Sequence, residues 1–200
     1  MIVSRLIFII FLAFGLCSAQ GSVNEADNIL IVYLSRTNNT KVVAEMIHEN
    51  VGGNLVALEL INPYPKDYRS IVAQVAEENR IGFLPPLKTQ INIDKYETVF
   101  LGFPTWGMQL PPPIKSFLTR HDLKDKTVIP FNTNAGYGIG SSFRTVESLC
   151  SDCNILEGFS VTGGIERDGI YLAIKGNRKV EVKELLVEWL EKIKPLTIKN

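Results

Sequence analysis

Residues 29–40 read Ile29-Leu30-Ile31-Val32-Tyr33-Leu34-Ser35-Arg36-Thr37-Asn38-Asn39-Thr40. The apolar half of this stretch is typical of a buried β-strand, and the polar half predicts a loop. A helix follows the loop, because Val43, Met46, Ile47 and Val51 recur at spacings of three and four. A strand that passes through a polar loop into a helix is the opening unit of an α/β fold.

The loop of residues 35–40 is suited to a phosphate monoester. A helix N-terminus presents free N–H groups and a partial positive charge, and the hydroxyls of Ser35, Thr37 and Thr40 add further donors. The loop lacks the glycines and the lysine of the common nucleotide-binding motifs. An ordinary capped turn is the alternative, because Ser, Thr and Asn are also the commonest N-cap residues.

The first 19 residues predict a secretory signal peptide. Arg5 is the only charge among them, an apolar run covers Leu6 to Leu16, and Cys17-Ser18-Ala19 ends in small residues. The run is too short to span a bilayer, and no later segment is long and apolar enough to do so. We expect residues 20–200 to form one exported domain, periplasmic or secreted. A lipid anchor at Cys17 is the alternative, which the bulky Leu16 disfavours.

Charge and cysteine content narrow the function classes. With 21 Lys and Arg residues against 21 Asp and Glu residues, and with no basic run, the chain gives no support for nucleic-acid binding. Cys150 and Cys153 are too few ligands for a zinc site, and neither His48 nor His121 has ligand spacing to them. In an exported chain we expect a small structural disulfide; redox or metal chemistry is the alternative.

Strand-like and helix-like segments alternate along the rest of the chain. The later strands are predicted at residues 55–60, 98–102, 127–131 and 155–161. This alternation predicts a parallel sheet with helices on both faces. We expect it to be a doubly wound, five-stranded sheet of order 2-1-3-4-5, which is one of the common orders of this class. Pro130 argues against full pairing of the fourth strand, because proline has no N–H group. Residues 170–174 are read as a short extra strand at the sheet edge.

Ligands of such sheets bind beyond the carboxyl ends of the strands, where the winding direction reverses. Three loops are expected to meet there: the first loop (residues 35–40), the second loop (residues 103–108) and the third loop (residues 133–140). Trp106 and Tyr137 place aromatic rings in two of these loops. Each ring is more often a packing residue, but with a phosphate loop the pair suits a planar, phosphorylated, aromatic ligand.

These loops resemble those of the flavodoxin family. Tyr33 to Thr40 is similar to the family's phosphate signature, Pro104-Thr105-Trp106-Gly107 to its first flavin loop, and Thr133 to Gly138 to its second. The resemblance covers roughly residues 28–162 and the last helix, and it implies noncovalently bound FMN. Trp106 and Tyr137 would flank the flavin ring. The remaining implied cofactor-binding residues are Ser35, Arg36, Thr37, Asn38, Asn39, Thr40, Pro104, Thr105, Gly107, Thr133, Asn134, Gly136 and Gly138.

The resemblance implies a low-potential electron carrier that exchanges electrons with redox partner proteins and has no catalytic acid or base. An FMN-dependent NAD(P)H:quinone or flavin reductase of the same fold is the alternative. A module that binds a phosphorylated ligand without redox chemistry is the third hypothesis.

Three departures from the family pattern stand out. Arg36 puts a charge in a loop that is usually neutral, so it either points outward or pairs with the phosphate. Asn39 replaces a residue that is usually small, which predicts a strained loop backbone. The near-neutral chain predicts weak electrostatic steering of partners.

Overall fold

The computed structural model describes residues 25–197, in which six strands alternate with five helices. The predicted signal peptide of residues 1–19, with Cys17, lies outside the described residues. The strands are β1 (Ile29–Tyr33), β2 (Asn54–Ala57), β3 (Thr98–Pro104), β4 (Thr127–Asn134), β5 (Asn154–Ile155) and β6 (Phe159–Thr162). The helices are α1 (Asn39–Val51), α2 (Tyr68–Ile81), α3 (Pro112–Arg120), α4 (Ser142–Leu149) and α5 (Asn177–Thr197).

All strand pairs of the sheet are parallel, and the order is β2-β1-β3-β4-β5. The predicted doubly wound fold and its strand order are therefore confirmed. Parallel strands need crossover connections, and the helices supply them. The chain winds to one side of β1 for β2 and to the other side for β3, so the winding reverses between β1 and β3.

Side chains of β1 alternate between two cores, as the two-residue period of a strand requires. Leu30 and Val32 join the core that is covered by α3 and α4. Ile31 and Tyr33 join the core that is covered by α1 and α5. Both faces of the sheet are therefore buried, which explains why the strand is apolar without interruption.

The fifth predicted strand, residues 155–161, is divided into β5 and β6, and both pieces pair with β4. The division lies opposite Pro130. The carbonyls of Val128 and Asn134 accept hydrogen bonds from Leu156 and Gly163, so the alternate residues of β4 face this side. Pro130 faces it too, and its missing N–H group coincides with the gap in pairing. The expectation that β4 is incompletely paired is confirmed.

Residues 163–176, which we call the insert, connect β6 to α5. The extra edge strand predicted at residues 170–174 is absent from the described structure. Ile170 makes only a single antiparallel bridge, to Ile165. The backbone of residues 171–174 bonds instead to the side chain of Asn39 in α1, which removes it from the sheet edge.

Within residues 25–197, no helix is both long and apolar enough to cross a membrane.

Candidate functional site

A cavity of about 480 Å³ lies beyond the carboxyl ends of β1, β3 and β4. All three predicted loops contribute to it. Of the predicted site residues, those that line the cavity are Arg36, Thr37, Asn39, Thr40, Pro104, Thr105, Trp106, Gly107, Thr133 and Asn134. The predicted residues outside its lining are Ser35, Asn38, Gly136, Tyr137 and Gly138. The volume is within the usual range for a small-molecule pocket, which is roughly 300–1,000 Å³.

The first loop presents a set of unpaired backbone donors. The N–H groups of Thr37, Asn38, Asn39 and Thr40 find no acceptor among the described residues. The next N–H group, that of Lys41, donates to Ser35 Oγ at 3.2 Å, so Ser35 caps the helix. Unpaired donors at a helix N-terminus, together with the helix dipole, form a site for an anion.

Strain in this loop falls on Asn38 and not on Asn39. Asn38 has φ 66° and ψ 0°, which is the left-handed region, and its side chain makes no capping bond. Asparagine tolerates this region better than most residues, because its short amide interacts locally with the backbone.

Two hydroxyl contacts line the same part of the cavity. Thr40 Oγ1 and Thr133 Oγ1 are 2.8 Å apart, which joins the first loop to the third. Thr37 Oγ1 accepts a hydrogen bond from Asn39 Nδ2 at 2.9 Å. Thr37 Oγ1 donates to no acceptor among the described residues, so its hydroxyl proton remains available to a ligand.

The second loop is a tight turn that carries Trp106. The backbones of Trp106 and Gln109 exchange two hydrogen bonds, and the two central residues, Gly107 and Met108, have φ 56° and φ 59°. Positive φ at both central positions defines a type I′ turn. The half-buried Trp106 meets the ring of Tyr64 edge-on, with ring centroids 5.4 Å apart. Trp106 therefore stands as a supported aromatic wall of the cavity.

Tyr64 is held in turn by a buried carboxylate. Its hydroxyl donates to Glu78 Oε2 at 2.5 Å, and Gln74 Nε2 donates to Glu78 Oε1 at 2.8 Å. Burial is the largest cause that raises the pKa of Tyr64, and the bond to Glu78 adds to it. In the sequence, Tyr64 stands between Pro63 and Pro65, and no local signal there indicates its place behind Trp106.

The third loop is organised around Asn134. Its Oδ1 accepts hydrogen bonds from the N–H groups of Gly136 and Gly138, at 2.9 and 3.2 Å. Tyr137, between these glycines, is 65 % exposed, and Arg167 Nη2 donates to its hydroxyl at 3.4 Å. Tyr137 thus lies outside the cavity lining, whereas Trp106 lines the cavity and is in ring contact with Tyr64.

Arg36 bonds to protein groups on two sides. Its Nε donates to both carboxylate oxygens of Glu166 at 2.8 and 2.9 Å, and its Nη1 and Nη2 donate to the carbonyls of Pro65 and Lys66. The guanidinium charge is therefore balanced by a carboxylate of the insert. Of the two orientations that the sequence allowed, a freely outward Arg36 is excluded, and the guanidinium charge is already paired with Glu166.

One wall of the cavity is formed by α2, and the sequence did not predict this. The face of this helix towards the cavity is Tyr68, Ile71, Val72, Val75, Ala76, Asn79 and Arg80. Its apolar members recur with helical spacing, and that pattern is typical of a core-facing helix. Two partly exposed members, Tyr68 at 38 % and Val72 at 49 %, show that this face is not fully covered. No local sequence signal separates a cavity wall from a core face.

No histidine or cysteine lines the cavity within residues 25–197. No group of three or more His, Cys, Asp or Glu residues in the same range could hold a metal ion. The lining thus combines the neutral anion donors of the first loop with the aromatic and aliphatic side chains of Trp106 and α2. This arrangement can bind and orient a planar phosphorylated molecule, and it supplies no evident acid–base pair.

The cysteine pair lies away from this cavity. Cys150 and Cys153 are joined by a disulfide, with their Cα atoms 5.4 Å apart, directly before β5. β5 pairs with the first two residues of β4, Thr127 and Val128, whereas the cavity lies at the other end of that strand. The disulfide and the cavity are therefore at opposite ends of the sheet.

In a comparison with protein families, a family model described as Flavodoxin matches residues 28–175. No curated protein is significantly similar to the chain.

Solved structures similar to this chain include a protein assigned as a flavoprotein from Bacteroides eggerthii DSM 20697. It is 28 % identical, with a TM-score of 0.67 over 84 % of this chain and 98 % of that one. A similarly assigned protein from Bacteroides uniformis ATCC 8492 is 24 % identical, with a TM-score of 0.63 over 72 % and 95 % of the two chains. A flavoprotein in complex with FMN from Lactobacillus acidophilus NCFM is 19 % identical, with a TM-score of 0.61 over 68 % and 93 %. The last two likenesses support the fold.

Proposed function

The chain belongs to the flavodoxin family, and we propose that it binds FMN without a covalent bond and acts as a low-potential electron carrier between redox partner proteins. The observation that carries this proposal is the set of unpaired N–H groups of residues 37–40, three of which (Thr37, Asn39 and Thr40) line the same cavity as Trp106. FMN has a single terminal phosphate and one planar ring system. The donors of the first loop would hold the phosphate, and Trp106 would face the ring.

The phosphate would be held by neutral donors. The backbone N–H groups of residues 37–40, the hydroxyl of Thr37 and one of the Thr40 and Thr133 hydroxyls supply them. Hydrogen bonds to an ionised acceptor are stronger than those between neutral groups, so neutral donors suffice when several converge. Because the charge of Arg36 is balanced by Glu166, Arg36 would help to position the first loop and would not offer an unpaired positive charge to the phosphate.

The flavin ring would lie against Trp106, and the bound flavin would supply the redox chemistry. The protein would orient the ring, exclude water from the face that Trp106 covers, and tune the potential by the polarity of that face. Thr105, next to Trp106, would help to orient the ring, because two hydrogen bonds fix its position. Its N–H group donates to the carbonyl of Thr133, and its Oγ1 accepts from Asn132 Nδ2 at 3.0 Å.

An FMN-dependent NAD(P)H:quinone or flavin reductase is the second candidate, and the α2 wall favours it. Ile71, Val72 and Val75 extend the apolar lining beyond the three loops. An apolar wall beside a flavin could accommodate a planar substrate as well as the cofactor. A carrier needs no such room, since it exchanges electrons at the edge of its flavin.

The first prediction is that the purified protein is yellow and releases FMN, not FAD. The cavity has one set of anion donors, and no second phosphate site is evident next to it in residues 25–197. Mass spectrometry of the released cofactor identifies it, and steady-state oxidation of NADH and NADPH separates reductase from carrier. Release of FAD, or failure of the apoprotein to bind added FMN, would contradict the proposal.

The second prediction concerns the disulfide, which we propose is structural in an exported protein. The variant Cys150→Ser with Cys153→Ser should keep its FMN affinity and its rate of flavin reduction, because the cysteines lie at the far end of the sheet. Its free energy of unfolding should fall by about 2 kcal/mol, the chain-entropy value for so short a loop. Loss of electron transfer in this variant would point to a dithiol relay instead.

Export itself is proposed from residues 1–19 alone. N-terminal sequencing of the protein recovered from the cell exterior or the periplasm would test it. A mature chain that begins at Gln20 supports cleavage after Ala19, whereas a lipidated Cys17 supports the anchor.

A further inference from the structure

We propose that Asn39 is a positioning residue, which fixes the anion donors of the first loop by tying them to the insert. The inference rests on the proposed binding of FMN, and it assigns affinity for the phosphate end of that cofactor to a contact between distant parts of the chain. Asn39 begins α1 and is only 3 % exposed, although its side chain is polar.

The amide of Asn39 makes hydrogen bonds in two directions. Towards its own loop, Nδ2 donates to Thr37 Oγ1 at 2.9 Å. Towards the insert, Nδ2 donates to the carbonyl of Tyr171 at 2.6 Å, and Oδ1 accepts from the N–H groups of Ala173 and Ile174 at 3.0 and 3.2 Å. Both protons of the amide and both acceptor sites of its oxygen are used, so one orientation of the side chain is strongly preferred.

The insert is itself held in place, so it can act as a support. At its start, the N–H group of Gly163 donates to the carbonyl of Asn134 at 2.8 Å. Near its end, Ile174 is 1 % exposed and belongs to the core between the sheet, α1 and α5. Residues 165 and 170 bridge across its turn. The contacts of Asn39 therefore connect the first loop to a segment that is anchored at both ends.

Arg36 makes the second connection between the first loop and the insert. Its Nε donates to both carboxylate oxygens of Glu166, which joins the same two segments, and both side chains are largely shielded, at 19 % and 16 % exposure. With this charge neutralised, an anion in the loop would depend on neutral donors, whose strength depends on direction and distance. The position of residues 37–40 therefore matters more than it would beside a free cation, and preorganised donors bind more tightly than donors that must be ordered on binding.

The inference is tested by comparing FMN with riboflavin, which has the same ring and no phosphate. The test variants are Asn39→Ala, which removes every side-chain bond of Asn39 to the insert, and Ala173→Pro, which removes one N–H donor of the insert and leaves the first loop unchanged in sequence. In either variant we expect the Kd for FMN to rise at least about tenfold and the Kd for riboflavin to change by less than about twofold. The inhibition constant of inorganic phosphate, measured by its competition with FMN, should also be higher in the variants than in the wild type.

Asn50→Ala is the matched control. Asn50 lies in α1, and its Nδ2 donates to the carbonyl of Met46 at 2.7 Å, so the variant also loses an amide hydrogen bond in this helix but away from the cavity. It should leave the ratio of the two Kd values unchanged. Ala173→Pro keeps the test decisive if Asn39→Ala does not fold.

The outcomes separate this inference from the function on which it rests. Equal weakening of FMN and riboflavin, or unchanged FMN affinity in both variants, would overturn the positioning role while FMN binding stands. A wild-type protein that binds neither FMN nor riboflavin would overturn the proposed function, and the inference with it.

Discussion

Replacement of Gly140 by alanine is expected to lower the free energy of unfolding by about 2–5 kcal/mol, because two penalties act together. Gly140 has φ 57°, in the left-handed region where an L-residue with a Cβ is strained. A Cβ built there would lie 2.1 Å from the carbonyl oxygen of Met108, a backbone atom that also accepts the N–H of Ser141. The clash would separate the second and third loops, so FMN affinity should fall as well. Urea denaturation and FMN titration measure the two effects.

Gly82→Ala is the matched control for this prediction. Gly82 has φ 67° and no atom within 4 Å of a built Cβ, so alanine there meets the left-handed strain without a clash. We expect it to lower the free energy of unfolding by about 1–2 kcal/mol and to leave FMN affinity unchanged. Equal losses in the two variants would show that the contact between Gly140 and Met108 contributes nothing beyond the backbone conformation.

Replacement of Trp106 by alanine is expected to weaken FMN binding by about 1–3 kcal/mol, from lost aromatic burial and stacking. It should also change the two one-electron potentials unequally. An electron-rich indole and a water-free face disfavour the fully reduced flavin, which is anionic, more than the neutral oxidised ring. Water on the vacated face would solvate that anion and make it easier to form. A potentiometric titration of the wild type and the variant measures both potentials.

Tyr137→Ala and Tyr64→Phe serve as comparisons. Tyr137 is exposed and outside the cavity lining, so we expect its loss to cost FMN affinity less than the loss of Trp106. Tyr64→Phe keeps the ring that meets Trp106 and removes only the bond to Glu78, so it tests whether that bond holds the indole in place. If Trp106→Ala left both affinity and potentials unchanged, Trp106 would be a packing residue and the flavin would lie elsewhere.

The fold could be predicted closely from the sequence, because the sequence patterns that indicate it are local. The uniformly apolar β1, the helical spacing in α1 and the alternation of strands and helices each depend on neighbours in the chain. Pro130 carried a further local signal, since a residue without an N–H group marks where β4 loses its outer partner. The division of the fifth strand into β5 and β6 was not predicted. Pro130 indicates that β4 is incompletely paired, but it does not indicate which residues of the partner strand lose their pairing.

In the candidate site too, residues with a local sequence signal were predicted, and residues placed by packing were not. Residues of the first loop and Trp106 were found because a helix N-terminus and an aromatic loop residue have chemical meaning by themselves. Tyr64, the α2 wall and Glu166 were missed, because their place at the cavity results from packing. Tyr137 was selected by the same argument as Trp106, and only the structure distinguishes the two.

The amino-acid sequence by itself determined the parallel sheet and the end of it at which the three loops lie, since hydrophobic period and chain connectivity dictate these. Tertiary structure alone decided where the polar side chains of the first loop are directed. Arg36 reaches residue 166 and Asn39 reaches residues 171–174, more than 120 positions away along the chain. Hydrogen bonds over such separations follow from the packing of the insert on α1, and no local pattern encodes them.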